Sequence, residues 1–169
     1  MNPNPADFGW RGFLFIIRTK NDKVVSMKLK IKRLRPEAIL PQYAHPGDVG
    51  LDLFSTDTST LQPGERRLFN LGFALEFEIG YAAIMKDKGG PPHKFGLHTI
   101  GGVFDAGYRG EYNVNIINLG SEPVTIEKGQ KIAQLVIFPV VIAQLEEVSE
   151  LSDTSRGEGR FGSTGTHAK

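Results

Sequence analysis

Glycine and proline interrupt this chain too often for long helices to form through most of it. The 169 residues include 20 glycines and 10 prolines, and both residue types weaken or break the interior of a helix. They gather in turn-forming clusters: Pro46-Gly47, Pro63-Gly64, Gly89-Gly90-Pro91-Pro92, Gly101-Gly102 and Lys128-Gly129. The stretches between these clusters are short, which favours strands that reverse direction at frequent turns.

Between the turns, the apolar residues are spaced as they are in β-strands. Polar and apolar residues alternate in three of these stretches, which predicts half-buried strands: "MKLKIKRL" (27–34), "ALEFEI" (74–79) and "YNVNIINL" (112–119). Continuous apolar runs at 81–85 and 132–141 predict strands that are more deeply buried. We therefore predict an all-β sandwich or barrel with many short strands and little helix. The best candidate for a helix, "AQLEEVSELS" (143–152), fits a strand and a loop equally well.

The first 26 residues differ in residue pattern from the rest of the chain, and we predict that they form an extension of unknown role. Residues 1–35 hold nine Lys and Arg against Asp7 and Asp22 alone. Such a basic patch fits a solvated face, or contact with nucleic acid or a membrane. A chain of this length fits one domain. The predicted division is an extension over 1–26, a β domain over 27–150 and a flexible, Gly-rich arm over 151–169.

Composition excludes several kinds of site. The chain has no cysteine, which rules out disulfides, thiolate metal sites and a cysteine nucleophile. Its net charge of +1 gives no support for nucleic acid as a partner. The apolar stretch "FLFII" (13–17) is far too short to span a membrane and lacks a signal-peptide cleavage site. We therefore expect a cytoplasmic protein with no membrane partner. The four histidines show neither metal-ligand spacing nor a Ser-His-Asp arrangement.

The C-terminal segment "RGEGRFGSTG" (156–165) is either a disordered tail or an arm that becomes ordered over a ligand. Four of its ten residues are glycine, so ordering it costs much conformational entropy. Its backbone N–H groups, its arginines and the hydroxyls of Ser163 and Thr164 suit phosphate oxygens, and Phe161 offers a ring for stacking. Composition alone leaves both interpretations open.

Three further segments carry polar groups beside turns or inside apolar strands. "PGDVGLDLFS" (46–55) contains Asp48 and Asp52, and "GGVFDAGYRGEYNV" (101–114) places Asp105 and Tyr108 in a Gly-flanked turn shaped like a hairpin. "KGQKIAQLVI" (128–137) has one amide, Gln134, in an otherwise apolar strand. A buried amide needs hydrogen-bond partners. Taken singly, each of these side chains also has a purely structural explanation, such as an Asx turn.

Together and in this order, the four segments resemble the motifs of the trimeric deoxyuridine triphosphate nucleotidohydrolases, the dUTPases. The resemblance covers roughly residues 27–167 and is strongest at "GLDL", "GGVFDAGYRGE", "GQKIAQLVI" and "RGEGRFGSTG". Four separated motifs in the correct order are far more specific than any single Gly-rich loop.

The resemblance implies a jelly-roll-like β-barrel that assembles as a homotrimer, with sites built between subunits. It implies hydrolysis of dUTP to dUMP and diphosphate, which controls the dUTP pool and supplies dUMP for thymidylate synthesis. The cofactor would be Mg²⁺ carried by the triphosphate, with no direct protein ligand. dUTP would be the substrate partner.

The resemblance also implies roles for particular residues. Asp105 would activate the attacking water, and Asp52 would support the site through water or metal contacts. Tyr108 would pack against the deoxyribose, Gln134 would lie near the phosphates, and the backbone around Gly101, Gly102 and Val103 would read uracil. The arm would close as a lid, in which Phe161 and Gly162 cover uracil while Arg156, Ser163 and Thr164 hold the distal phosphates.

The second motif departs from the family pattern. The family usually reads Asp-Arg-Ser-Gly where this chain reads "DKGG", Asp87 to Gly90. Lys88 keeps the positive charge but lacks the planar fork that binds phosphate at two points, and Gly89 has no hydroxyl. In the arm, Arg160 occupies a position that is commonly glycine. These changes bear on the rate and on the substrate.

Two alternatives follow from these residues. The altered second motif would fit a catalytically weak, dUTPase-like protein that binds nucleotide as a regulatory module. A dCTP deaminase shares the fold but requires a glutamate ten residues after the turn aspartate, where this chain has Asn115. Asparagine cannot act as a general base, which argues against deamination.

Overall fold

Eleven short strands and one short helix make up residues 27–160, the part of the chain that the computed structural model describes. The strands are β1 Lys30–Arg33, β2 Leu51–Phe54, β3 Ser59–Leu61, β4 Arg66–Asn70, β5 Phe73–Glu76, β6 Tyr81–Lys86, β7 Leu97–Ile100, β8 Val103–Asp105, β9 Asn113–Asn118, β10 Val124–Ile126 and β11 Lys131–Pro139; the helix α1 is Gly90–Phe95. The predicted all-β fold with little helix is confirmed. The extension over 1–26 lies outside the described residues.

The strands pair into four antiparallel sheets. The largest has the order β2-β11-β6-β8, a second has the order β4-β9-β7, and two ribbons pair β1 with β5 and β10 with β3. One face of the largest sheet enters the core through Leu53, Ala83, Met85 and Leu135. Strand β9 closes the core from the second sheet, since its residues alternate between buried and partly exposed positions. This alternation is the pattern predicted for 112–119.

The Gly-Pro cluster at 89–92 begins a helix rather than a simple turn. Pro91 and Pro92 lie in the first turn of α1, where a missing N–H removes no helical hydrogen bond. Gly96 ends the helix with a φ of 68°, and its N–H donates to the carbonyl of Pro92 at 3.0 Å. A Cβ atom at Gly96 would lie 2.7 Å from the backbone nitrogen of Gly120, so only glycine fits here.

Two other segments differ from the sequence predictions. All four residues of β1 are exposed, including Ile31. Among the described strands β1 pairs with β5 alone, so it lies at an edge with little covering it. Residues 143–152 form neither helix nor strand, and their apolar side chains are exposed, with Leu145 at 93%.

No helix among residues 27–160 is long and apolar enough to cross a membrane. The cytoplasmic location expected from the sequence stays a prediction.

Truncating Leu53 should test the core that holds the largest sheet. Its side chain is fully buried, so Leu53→Ala should lower the free energy of unfolding by about 2–5 kcal/mol through lost burial and a cavity. The measurement is urea unfolding at fixed protein concentration. Leu119→Ala is the matched control, because Leu119 is 65% exposed and should change stability by no more than about 0.5 kcal/mol. Equal losses in both variants would contradict this assignment of the core.

Candidate active site

A buried carboxylate that contacts two lysines lies on the outer face of the largest sheet. Asp52, in the middle of β2, is 2% exposed. The Lys88 ammonium donates a hydrogen bond to its Oδ1 atom at 2.6 Å, and Lys131 Nζ lies 2.7 Å from its Oδ2 atom. The Asp52 N–H also donates to the carbonyl of Gln42 at 2.9 Å. Both carboxylate oxygens are therefore in contact with a cation.

The lysines determine the charge of Asp52. Burial by itself would raise the pKa of this carboxyl group. The hydrogen bonds and the positive charges of Lys131 and Lys88 outweigh burial and hold the pKa of Asp52 below its ordinary value of 3.8. Asp52 is thus ionised at neutral pH.

Gln134 lies next to this ion pair. It pairs with Asp52 across β2 and with Lys86 across β6, and its Nε2 group donates to the carbonyl of Asp87 at 2.7 Å. A Cβ atom on Gly50 would lie 2.2 Å from Gln134 Oε1. Glycine at position 50 therefore leaves the room that the amide side chain occupies.

Asp87 anchors the segment that carries Lys88. One of its oxygens accepts the N–H of Thr99 at 2.6 Å, and the other lies 2.6 Å from Nδ1 of His98. Burial would raise the pKa of Asp87, but the hydrogen bonds from Thr99 and the contact with His98 lower it on balance. The next residue but one, Gly89, is exposed, and a Cβ atom there would meet no other atom within 4 Å. Its backbone is accessible to a ligand.

Asp105 is the last residue of β8, and Tyr108 lies in the turn that follows it. The Tyr108 N–H donates to the carbonyl of Asp105 at 3.0 Å, and the Tyr108 hydroxyl donates to the carbonyl of Glu111 at 3.0 Å. The tyrosine ring packs at a tilt against Phe104. The turn is not a hairpin, however: β8 pairs with β6, whereas β9 pairs with β4 and β7. The turn therefore passes between two sheets.

Glycines before Asp105 allow a close approach to β6. Gly101 and Gly102 have φ values of 72° and 101°, which residues with a side chain rarely adopt. A Cβ atom on Gly102 would lie 2.3 Å from Cβ of Met85, and its carbonyl accepts the Met85 N–H at 2.7 Å. The backbone leading to exposed Val103 is fixed by this contact.

The predicted site residues form two separate groups within one chain. Asp52, Lys88 and Gln134 lie together at the end of β6, where Gln134 is opposite Lys86. Asp105 is opposite Ala82, near the other end of β6. Along β6 the two pairing positions, Lys86 and Ala82, are four residues apart, or about 13 Å, and β6 itself lies between β8 and β11. Both groups lie on the same face of the sheet, because Lys86 and Ala82 are an even number of residues apart.

The arm is described only in part. Arg156 is exposed, and its Nε group donates to the carbonyl of Gly159 at 3.1 Å within a turn. Phe161, Gly162, Ser163 and Thr164 lie outside the described residues. Residues 27–160 contain no group of three or more His, Cys, Asp or Glu side chains that could hold a metal ion.

Comparison with known proteins identifies the family. The dUTPase family model matches residues 36–165. This chain belongs to the dUTPase family. The deoxyuridine 5'-triphosphate nucleotidohydrolase of Clostridium kluyveri is 46% identical over 142 residues, covering 83% of this chain and 99% of that protein. The enzyme of the same name from Thermobifida fusca is 45% identical over 146 residues, covering 85% of this chain and 82% of that protein.

Solved structures agree with this assignment. The dUTPase of Staphylococcus bacteriophage 80alpha, solved with dUpNHpp, is 31% identical and superposes with a TM-score of 0.77 over 82% of this chain and 99% of its own. The predicted family and the predicted activity, dUTP diphosphatase, are confirmed. Neither alternative, the regulatory binding module or the deaminase, is favoured by these matches.

Sequence reasoning missed Lys131 and the anchoring contacts of Asp87. Regular alternation along β11 would put Lys131 and Gln134 on opposite faces, since they are three residues apart. The structure has a bulge between Lys131 and Ala133, which brings Lys131 to the face of Asp52. The Lys in "GQKIAQL" was visible in the sequence, but the bulge was not.

Replacing Asp52 should destabilise the fold in a pH-dependent way. Asp52→Asn should lower the free energy of unfolding at pH 7 by about 1–3 kcal/mol, because it removes one charged hydrogen bond and one close ion contact from a buried site. The lowered pKa means that the carboxylate stabilises the fold fully well above pH 3.8, its ordinary pKa, and progressively less as the pH falls towards the folded value. The difference between parent and variant should therefore shrink on acidification below about pH 4.

Urea unfolding of both proteins between pH 7 and pH 3 checks this expectation. Glu78→Gln is the control, because Glu78 is exposed in the segment between β5 and β6. A difference between Asp52→Asn and the parent that stays constant with pH would show that the ion pair is not its cause.

Proposed function

We propose that this dUTPase cleaves dUTP at sites that are shared between the subunits of a homotrimer. The observation that carries this proposal is the separation of the two polar groups along β6. The residues proposed to bind the triphosphate lie beside one end of β6, and those proposed to bind the nucleoside lie beside the other end. Each group therefore needs residues from another chain to complete a site. Neighbouring copies supply those residues without any change in the fold of one chain.

Exposed apolar side chains support assembly. The segment after β11 carries Val141, Ile142 and Leu145, which are 72–93% exposed. Ile79 is 82% exposed, and together with Ile142 it lines a cavity of about 290 Å³ beside Asp105. Contiguous apolar surface of this kind is typical of a protein interface. A second copy that covers this surface would complete the surroundings of Asp105.

Lys88, Gly89 and Gln134 bind the phosphates in this proposal. Gly89 offers an accessible backbone N–H to phosphate oxygens. The carbonyl of Asp87 holds the Gln134 amide, so the side chain is already oriented before substrate arrives. Asp52 has both oxygens in contact with lysines, so we assign it a positioning role instead of the metal or water contacts expected from the sequence.

The uracil and deoxyribose bind at the turn around Asp105. The backbone of Gly101, Gly102 and Val103 presents amide groups to the edge of the base, and Tyr108 packs against the sugar. The Tyr108 ring is held from two sides, by its hydroxyl bond to Glu111 and by its contact with Phe104. A fixed ring beside the sugar leaves no room for a 2′-hydroxyl group.

Asp105 acts as the general base. It accepts a proton from a water molecule whose oxygen forms a bond to the α-phosphorus. The bond between that phosphorus and the oxygen bridging to the β-phosphorus breaks, and diphosphate leaves. The dUTPase family depends on Mg²⁺ in general, and the ion would arrive bound to dUTP. It would neutralise negative charge on the leaving diphosphate.

The Gly-rich arm, residues 151–169, closes over the bound nucleotide in this proposal. Phe161 and Gly162 would lie over uracil, and Arg156, Ser163 and Thr164 would contact the distal phosphates. Closure would exclude bulk water and strengthen these charged hydrogen bonds. In this proposal the arm closes on the β domain, residues 27–150.

Asp105→Asn should remove catalysis while keeping nucleotide binding. The change removes the base but little volume, so kcat for Mg–dUTP should fall by about 100-fold or more. Diphosphate release measured across dUTP, dCTP, dTTP and UTP should be fastest with dUTP in the parent protein. Asp57→Asn, at an exposed turn, is the matched control and should retain the parent rate. Parent-like turnover in Asp105→Asn would remove the role assigned to Asp105.

A further inference from the structure

The bulge at the start of β11 places Lys131 on the same face of the sheet as Gln134. Without the bulge, the three-residue spacing would put the two side chains on opposite faces. In the register observed, Lys131 is opposite Phe54, and Gln134 is opposite Asp52. Residues 52 and 54 lie on one face of β2, so Lys131 shares that face with Asp52 and Gln134. Its Nζ atom reaches Oδ2 of Asp52 and also lies 6.0 Å from the centre of the Phe54 ring. Lys131 therefore belongs to the group of polar residues at the end of β6.

The charges of this group do not cancel. Lys88 and Lys131 carry two positive charges against the single negative charge of Asp52. Of the neighbouring charges, Lys86 adds one positive charge opposite Gln134, and Asp87 adds one negative charge that is held by Thr99 and His98. The carboxylate is almost completely buried, whereas the two lysine side chains are 32% and 43% exposed. The surface thus presents ammonium groups while the balancing charge lies beneath them. This arrangement attracts an anion from solution.

The spacing of the two ammonium groups suits a phosphate. They contact the two oxygens of one carboxylate, at 2.6 and 2.7 Å. The oxygens of a phosphate group are spaced much like those of a carboxylate, so the same two lysines can contact one phosphate or two adjacent ones. Lysine has a flexible stem and three donors, which allows it to keep its contact with Asp52 while it donates to a phosphate.

We propose that Lys131 is a second phosphate-binding lysine, held beside Lys88 by Asp52, and that the two lysines together bind the phosphates that the usual Arg-Ser of the second motif would bind. The inference rests on the proposed function, because it adds a residue to the phosphate end of that site. Lys131 binds the phosphate chain and not the nucleoside. Its contribution therefore grows with the number of phosphates on the ligand.

Titration calorimetry with two ligands tests this inference. The ligands are a non-hydrolysable dUTP analogue with an α,β-imido bridge, in the presence of Mg²⁺, and dUMP. Lys131→Met should weaken binding of the analogue at least about tenfold and binding of dUMP by less than about twofold. The affinity for the analogue should also fall less steeply with added salt than in the parent, because the variant has one fewer cation facing the phosphates.

Two further variants separate phosphate binding from a structural role. Lys131→Arg keeps the charge and should keep most of the difference in affinity between the two ligands. Lys30→Met is the matched control, since Lys30 also forms an ion pair on a strand, with Glu76 at 2.5 Å, and should leave both affinities unchanged. If Lys131→Met does not fold, the same two titrations are made with Lys131→Gln.

If Lys131→Met weakened binding of both ligands equally, or did not weaken binding of the analogue, the role of Lys131 would be overturned. Failure of the proposed function would look different. In that case the parent protein itself would neither bind the analogue nor release diphosphate from dUTP.

Discussion

Strand β11 lies between β2 and β6, and the register of these two pairings places Asp52, Gln134 and Lys131 on one face of the sheet. Leu135 pairs with Leu51 on one side and with Met85 on the other, and all three enter the core. The neighbouring row on the opposite face joins Asp52, Gln134 and Lys86. A slip of one residue in β11 would turn Leu135 outwards and Gln134 into the core. Burial of the apolar row therefore holds the polar row in place.

The ion pair at Asp52 couples stability to binding. A buried carboxylate without partners would be strongly destabilising, so the fold requires cations at this point. Lys88 and Lys131 supply these cations, and both are partly exposed on the face that carries Gln134. Their contacts with Asp52 allow its burial and also create a positively charged surface. Tight packing around Gly50 completes this surface, because it leaves space for the Gln134 side chain.

Much of the fold and the family could be predicted from the sequence, because both depend on local pattern. Alternation marked β9, apolar runs marked β6 and β11, and the order of the motifs marked the family. The features that were missed depend on tertiary context. The start of α1 at Gly90 looked like a turn in the sequence, because glycines and prolines together usually indicate one. The two prolines fit a helix here only because they lie in its first turn. The turn after Asp105 looked like a hairpin because the sequence does not reveal which sheet each strand joins.

The placement of Lys131 was also beyond the sequence, since a bulge inverts the face of a residue without leaving a pattern. The exposed residues 143–152 are a related case. Their apolar side chains have the composition of a packed element, yet within the described part of one chain they remain open to solvent. In our account their packing partner is another copy of the chain, which a single-chain pattern cannot reveal.

Mixing two inactive variants tests most directly whether one site is built from different chains. Asp105→Asn removes the base, and Gly89→Asp places a negative charge at the phosphate end, where a side chain meets no neighbouring atom. Each variant alone should release almost no diphosphate from dUTP. After unfolding and refolding together in equal amounts, random assembly should give sites with both groups intact and restore about a quarter of the parent activity. Activity of the mixture no greater than that of the separate variants would contradict a shared site.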